Sequence, residues 1–372
     1  MLRMVVVGVC AALVHWLLYR RLVVATGIGG PARPAAAVLL GVLWVAAVVA
    51  TGAGSVFVPG PVRPVVWLGY VWYAVLFYLL LGLLVLGAVL LLVRAVDLAH
   101  RTRVLRVLSA VLVVSSVGAV GYGVVEAADV RVVESEARFA KLPEQFDGLR
   151  VAVLSDLHVG AARGSGFTAE VVELVNAQRP DLVVIPGDLI DGAVDLVGGD
   201  LAPLADLRAE YGVIGVAGNH EGYVDEVAAW LDRWENLGVE TLRNERTELS
   251  IDGATIDIAG VYDYAAPEPY APDLEAALAQ RDPNRFTLLL AHQPAQVLEA
   301  SERGVDLQLS GHTHGGQLWP FTYPVRWANP TVSGWDRFGD LQIYTTVGAG
   351  AWGPPVRVGV APEIAILTLR TE

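Results

Sequence analysis

Residues 150–160 read Arg-Val-Ala-Val-Leu-Ser-Asp-Leu-His-Val-Gly. A short valine-rich run, the length of a buried strand, stops at an Asp-x-His pair. The same grammar recurs downstream. Residues 182–186 are followed by Gly187-Asp188, 213–217 by Gly218-Asn219-His220-Glu221, 286–291 by His292, and 306–310 by Gly311-His312-Thr313-His314. Helix-period patterns lie between some of these runs, at 168–178 and 225–237. Strand and helix in alternation predict an α/β domain. Loops at the carboxyl ends of its strands are where such a domain builds sites. The later runs, 247–251, 255–259, 341–347 and 363–369, have no long helix between neighbours and read as antiparallel.

Upstream the chain changes character. It carries 26 basic and 39 acidic residues in 372, a net charge of −13. Yet residues 1–125 hold nine arginines and a single acid, Asp97, so the acidic excess lies entirely beyond them. That split excludes one soluble globule, and the acidic domain argues against nucleic-acid binding, which wants a basic face. Four apolar stretches, about 4–25, 35–58, 65–93 and 104–125, approach or exceed the ~20 residues a membrane helix needs. The first has the basic start of a signal peptide but no clean small-x-small cleavage site, and three more spans follow it. His15 reads as a packed or interfacial residue and the lone cysteine, Cys10, as a small hydrophobe in a span. Arg20, Arg21 and Arg33 fall in the first connection; Arg94, Arg101, Arg103 and Arg106 fall in or beside the third. The positive-inside rule places these arginines in the cytoplasm and everything after residue 125 outside. Residues 126–149 read as a polar connector and 150–372 as the α/β domain.

Five of the seven histidines lie past residue 150, and all five stand at strand ends. With Asp156, Asp188 and Asn219 they make a nitrogen and oxygen donor set without sulfur. Such a set suits Mn, Fe or Zn and does not choose among them. The donors are too many for one ion; two ions sharing a carboxylate would accommodate them.

In this order the motifs resemble the calcineurin-like metallophosphoesterases, over about residues 148–370. The strings Ser-Asp-Leu-His-Val-Gly at 155–160 and Gly-His-Thr-His-Gly-Gly-Gln at 311–317 are similar to its bacterial membrane-associated branch. The resemblance implies an α/β/β/α sandwich of two mixed sheets with flanking helices. It implies one divalent ion on Asp156, His158 and His314, a second on Asn219, His292 and His312, and Asp188 bridging them. His220 would face the phosphate, stabilising charge or protonating the leaving oxygen. Glu221 reads as a residue orienting a histidine, and Asp191 and Asp195 as solvated loop acids. The aromatics Trp319, Phe321, Tyr323, Trp327 and Trp335 fit either ordinary core or a surface that meets substrate or bilayer.

The expected protein is a multi-pass membrane phosphoesterase, in which a hydroxide activated by two metals attacks a phosphodiester, pyrophosphate or phosphomonoester. Its tether suggests an envelope lipid or lipid-linked substrate. The alternative is a catalytically silent metal-binding sensor or interaction protein. A transporter is disfavoured, because Asp97, the one acid among the spans, lies at a span edge.

Overall fold

A computed structural model of the chain describes residues 2–92, 98–223 and 227–372. Arg94 and Asp97, and the start of the pattern at 225–237, lie outside the described residues. The apolar stretches fold into helices α1 (Leu2–Leu18), α2 (Ala32–Gly52), α3 (Arg63–Leu92) and α4 (Leu98–Ala128). All four are long and apolar enough to cross a membrane. A π-helical turn, Tyr19–Val24, carries α1 past its arginine pair. The second stretch stops at Gly52 rather than 58. Ala53 is extended and Gly54 adopts a left-handed φ of 77°, so the chain reverses there. His15 accepts a hydrogen bond from Trp72 on α3 (2.8 Å), as a packed residue does. Arg106 donates to the carbonyls of Thr26 and Gly27 (3.2 and 3.4 Å), which brings the first and third connections to one end of the bundle.

Strands follow in the order β1 (Arg131–Phe139), β2 (Arg150–Val153), β3 (Val159–Gly160), β4 (Leu182–Ile185), β5 (Ile190–Asp191), β6 (Val213–Gly215) and β7 (Val239–Thr241). Then come β8 (Glu245–Ile251), β9 (Ala254–Gly260), β10 (Thr287–Leu290), β11 (Leu307–Ser310), β12 (Gly334–Phe338), β13 (Leu341–Thr345) and β14 (Glu363–Thr371). They form two six-stranded sheets, ordered β1-β14-β2-β4-β6-β7 and β12-β13-β11-β10-β9-β8, and a small pair, β3-β5.

Alternation along each strand builds the layers. Val151 and Val153 face the second sheet, where Leu288, Leu290, Leu307 and Leu309 meet them. Ala152 and Leu154 face the opposite way, toward α5 (Ser165–Ala177) and the helix Val227–Glu235, through Val171, Val175, Trp230 and Trp234. Leu289 and Ala291 back the second sheet against Val297 and Ala300. The result is the α/β/β/α sandwich expected. Two readings need correcting. Residues 131–139, taken for connector, are strand β1, paired in parallel with β14. Of the later strands, β9 and β13 also pair in parallel, with β10 and β11.

The helices and the sandwich share a packed seam. Leu18, Ala74, Val75, Leu76, Leu79 and Val120 cluster with Val356 of the sandwich. Arg63, at the start of α3, donates to Gly160 O (3.1 Å) and pairs with Asp200 (2.8 Å). The turn after α2 lies against the site loop: Ala193 N donates to Gly54 O (2.9 Å).

Candidate metal centre

β2, β4 and β6 run parallel in one sheet, β10 and β11 in the other, and the loops at their carboxyl ends converge. Asp156, His158, Asp188, His312 and His314 all hold left-handed backbone angles, φ 48° to 71°. A non-glycine residue rarely adopts this region, at a cost of order 1–3 kcal/mol each, and such residues cluster at functional sites. Gly311 makes the convergence sterically feasible. A Cβ there would meet Asp156 Oδ2 at 2.1 Å, where Asp156 instead accepts from the backbone N–H of His312 (3.1 and 3.2 Å).

The eight expected residues come together. Asp156, His158 and His314 form one buried group, with His158 Nε2 2.9 Å from His314 Nε2, and His314 Nε2 3.5 Å from Asp156 Oδ1. Asp188, His292 and His312 form another. His292 Nε2 lies 3.1 Å from Asp188 Oδ2, and Asn219 Oδ1 lies 3.1 Å from His292 Nε2 and 2.9 Å from His312 Nδ1. Asp188 Oδ2 is also 3.8 Å from His158 Nε2, which sets this carboxylate between the groups. Donors on one ion with bonds of ~2.0–2.2 Å stand roughly 3–3.5 Å apart. Most of these separations lie near that range, and His158 Nε2 to Asp156 Oδ1, at 3.9 Å, would close slightly around a cation.

The electrostatics call for positive charge. Burial pushes the Asp156 carboxyl up, with Asp188 adding to the effect. Burial would raise Asp188 too, but His292, His220 and His158 outweigh it and hold it well below the carboxylate range. Burial opposes charge on His292, yet Asp188 and Asp156 lift it to about 10. Burial and His292 together push His312 down to about 4. Two buried carboxylates thus recruit protons onto neighbouring rings, which is the demand a bound cation would satisfy.

The surrounding residues set ring orientation. His292 Nδ1 donates to Pro186 O (2.8 Å), leaving Nε2 toward Asp188. Asp191 is no solvated acid. It is largely buried, and one oxygen accepts from His158 Nδ1 (3.0 Å) and His220 Nδ1 (2.6 Å). Despite burial, these two histidines hold its carboxyl far below the usual range. An ionised carboxylate only accepts, so both rings carry their proton on Nδ1 and turn Nε2 to the centre. Burial works against charge on His220, but Asp188 and Asp191 raise it to about 9. Glu221 supports loops rather than a histidine. It accepts the backbone N–H groups of Asp188, Leu189 and Gly218 (3.0, 2.9 and 2.7 Å), and burial raises it to about 7. Arg357, fully buried, donates to the carbonyls of Gly350, Val347 and Gly348 and lies 3.2 Å from His314 Nδ1. No sequence motif pointed to Arg357; for Asp191 the only signal was its place three residues after Asp188. Among the aromatics, Trp335 is structural, stacked edge-on with Tyr344, whereas Trp319, Phe321, Tyr323 and Trp327 are exposed.

Residues 149–316 match the model of the calcineurin-like phosphoesterase family. A metallophosphoesterase of Bacillus subtilis is 31% identical over 265 residues, covering 68% of this chain and 90% of the relative. The chain belongs to the calcineurin-like phosphoesterase family. A metallophosphoesterase of Helicobacter pylori is 40% identical over 227 residues, covering 59% of this chain and 60% of the relative. A transmembrane protein with metallophosphoesterase domain from Danio rerio is 35% identical over 270 residues, covering 70% of this chain and 62% of that protein. The match thus spans about 60% of the length of the Helicobacter pylori and Danio rerio relatives.

Proposed function

We propose that the chain is a membrane-anchored, metal-dependent phosphoesterase. The observation that carries this is the pair of donor groups meeting at Asp188, with His220 beside them at the head of a cavity. Asp156, His158 and His314 would hold one ion, and Asn219, His292 and His312 a second, with Asp188 shared. Divalent ions, Mn, Fe or Zn, would supply Lewis acidity and a nucleophilic water at neutral pH. The chain's own residues do the rest. Asp191 accepts the Nδ1–H of His220 and turns Nε2 outward. With its pKa raised to about 9 the ring also carries a proton on Nε2, which it passes to the leaving oxygen as the new phosphorus–oxygen bond forms and the old one breaks, regaining a proton from solvent afterwards. The water's proton ends on the product phosphate or in solvent. The substrate is a phosphate ester, and the membrane tether favours one carried by an envelope lipid. The arginines gathered at the far end of the bundle favour a cytoplasmic face there and an extracytoplasmic catalytic domain.

The full chain in detergent, assayed on aryl phosphodiester and monoester with Mn²⁺, should turn over, lose activity with chelator, and lose it in Asp188→Ala. Metal binding without turnover of either ester would favour the sensor reading instead. A reporter active only outside the cytoplasm, fused at residue 372, tests the sidedness; a silent reporter overturns it.

A further inference from the structure

The metal centre opens into a cavity of about 400 Å³. Its head is polar: Asp188, Asn219, His220 and His312. The rest of its lining is mostly apolar: Tyr73 and Phe77 from α3, and Leu318, Phe321, Val325 and Pro354 from the sandwich, with Gln317 and Asn329 among them. The two walls touch where Phe77 meets Phe321 edge-on, ring centroids 6.4 Å apart. Tyr78 Oη closes the seam by donating to Trp319 O (2.8 Å).

The position of this apolar end matters. Phe77 lies near the middle of the span Gly60–Ala88, the stretch of α3 apolar enough for the bilayer. The segment facing it carries Trp319, Tyr323 and Trp327, exposed by 55, 54 and 83%. Tryptophan and tyrosine gather where membrane meets water. One end of the cavity therefore offers ligands for phosphate, and the other abuts a helix long and apolar enough to cross a membrane. A wholly polar substrate would bury its far end against mostly apolar side chains, which costs free energy. The volume is that of a single small-molecule site, room for one chain.

We propose that this cavity binds the hydrocarbon chain of a single-chain phosphate ester drawn from the bilayer. Its phosphorus would lie against Asn219, His220 and His312, and its chain between α3 and the helix Thr322–Ala328. The proposal rests on the phosphoesterase reading and specifies its substrate class.

The test uses the full chain with Mn²⁺ in mixed micelles. It compares 4-nitrophenyl butyl phosphate with 4-nitrophenyl dodecyl phosphate at matched mole fraction in the micelle. We expect kcat/KM at least tenfold higher for the dodecyl ester. Val325→Trp, which fills the apolar end, should lower that ratio at least fivefold, and the smaller Val325→Phe should lower it less. A wild-type ratio under twofold, with both esters hydrolysed, overturns the chain site and leaves the esterase standing. So does a ratio that neither variant moves. Hydrolysis of neither ester overturns the esterase itself and this proposal with it.

Discussion

One oxygen of Asp191 receives an N–H from His158 and another from His220, so a single side chain orients a ring proposed to hold metal and the ring proposed to donate the proton. Removing an outer-shell carboxylate of this kind usually costs 10–100-fold in metal affinity or activity. Asp191→Ala should therefore lower both kcat and Mn²⁺ affinity by about that factor, as steady-state kinetics and a metal titration would record. His220→Ala should separate the two: kcat falls about 10²–10⁴-fold, the usual contribution of a positioned acid, while the metal titration stays near that of the unaltered protein. An unchanged kcat would remove His220 from the chemistry. The proposed ligands were legible in the sequence because each follows an apolar run, all but the lone His292 within a short motif. Asp191 and Arg357 were not, because their roles depend on which loops fold against one another. The left-handed backbone of Asp156 and Asp188 was equally invisible, since only neighbouring loops can impose such angles on residues that disfavour them.

Elements were legible wherever burial on both faces makes a strand mostly apolar, as in β2, β4 and β10. β1 was missed because it lies at a sheet edge and alternates with charge, Arg131, Glu134, Glu136 and Arg138, which reads as solvated chain. The end of α2 was overrun because residues 53–58 are mostly apolar; only the glycines at 52 and 54 mark the turn. That turn touches the site. A Cβ on Gly54 would stand 2.6 Å from the carbonyl oxygen of Asp191, at a φ of +77°. Gly54→Val should thus displace the segment carrying Asp191 and cut turnover at least tenfold, with far-ultraviolet circular dichroism unchanged. Activity within twofold of the unaltered protein would show that the turn and the site loop move independently.

Across the whole molecule, the sandwich and the helices are one packed body rather than a domain on a tether. Residues 129–372 made alone would bare Leu318, Val356 and Val358, which now pack on α3 and α4, and would lose the support of Arg63 and Gly54. We expect that fragment to self-associate on gel filtration and to bind Mn²⁺ more weakly than the full chain does. A monodisperse fragment of equal affinity would contradict this. Ions that bind only the folded protein stabilise it by about 2.7 kcal/mol at a hundredfold excess over Kd. Mn²⁺ should accordingly raise the thermal midpoint of the full chain by several degrees, and chelator should reverse the rise. The place of β14 carries a further consequence, for biosynthesis. It inserts between β1 and β2, so the strand that leaves the membrane first has no neighbour until residues 363–371 are made. Through nearly the whole synthesis of the domain β1 is expected to stay unpaired, open to chaperones and proteases. A nascent chain cut short by its last dozen residues would therefore be expected to fail in quality control, although all seven proposed metal ligands are already made.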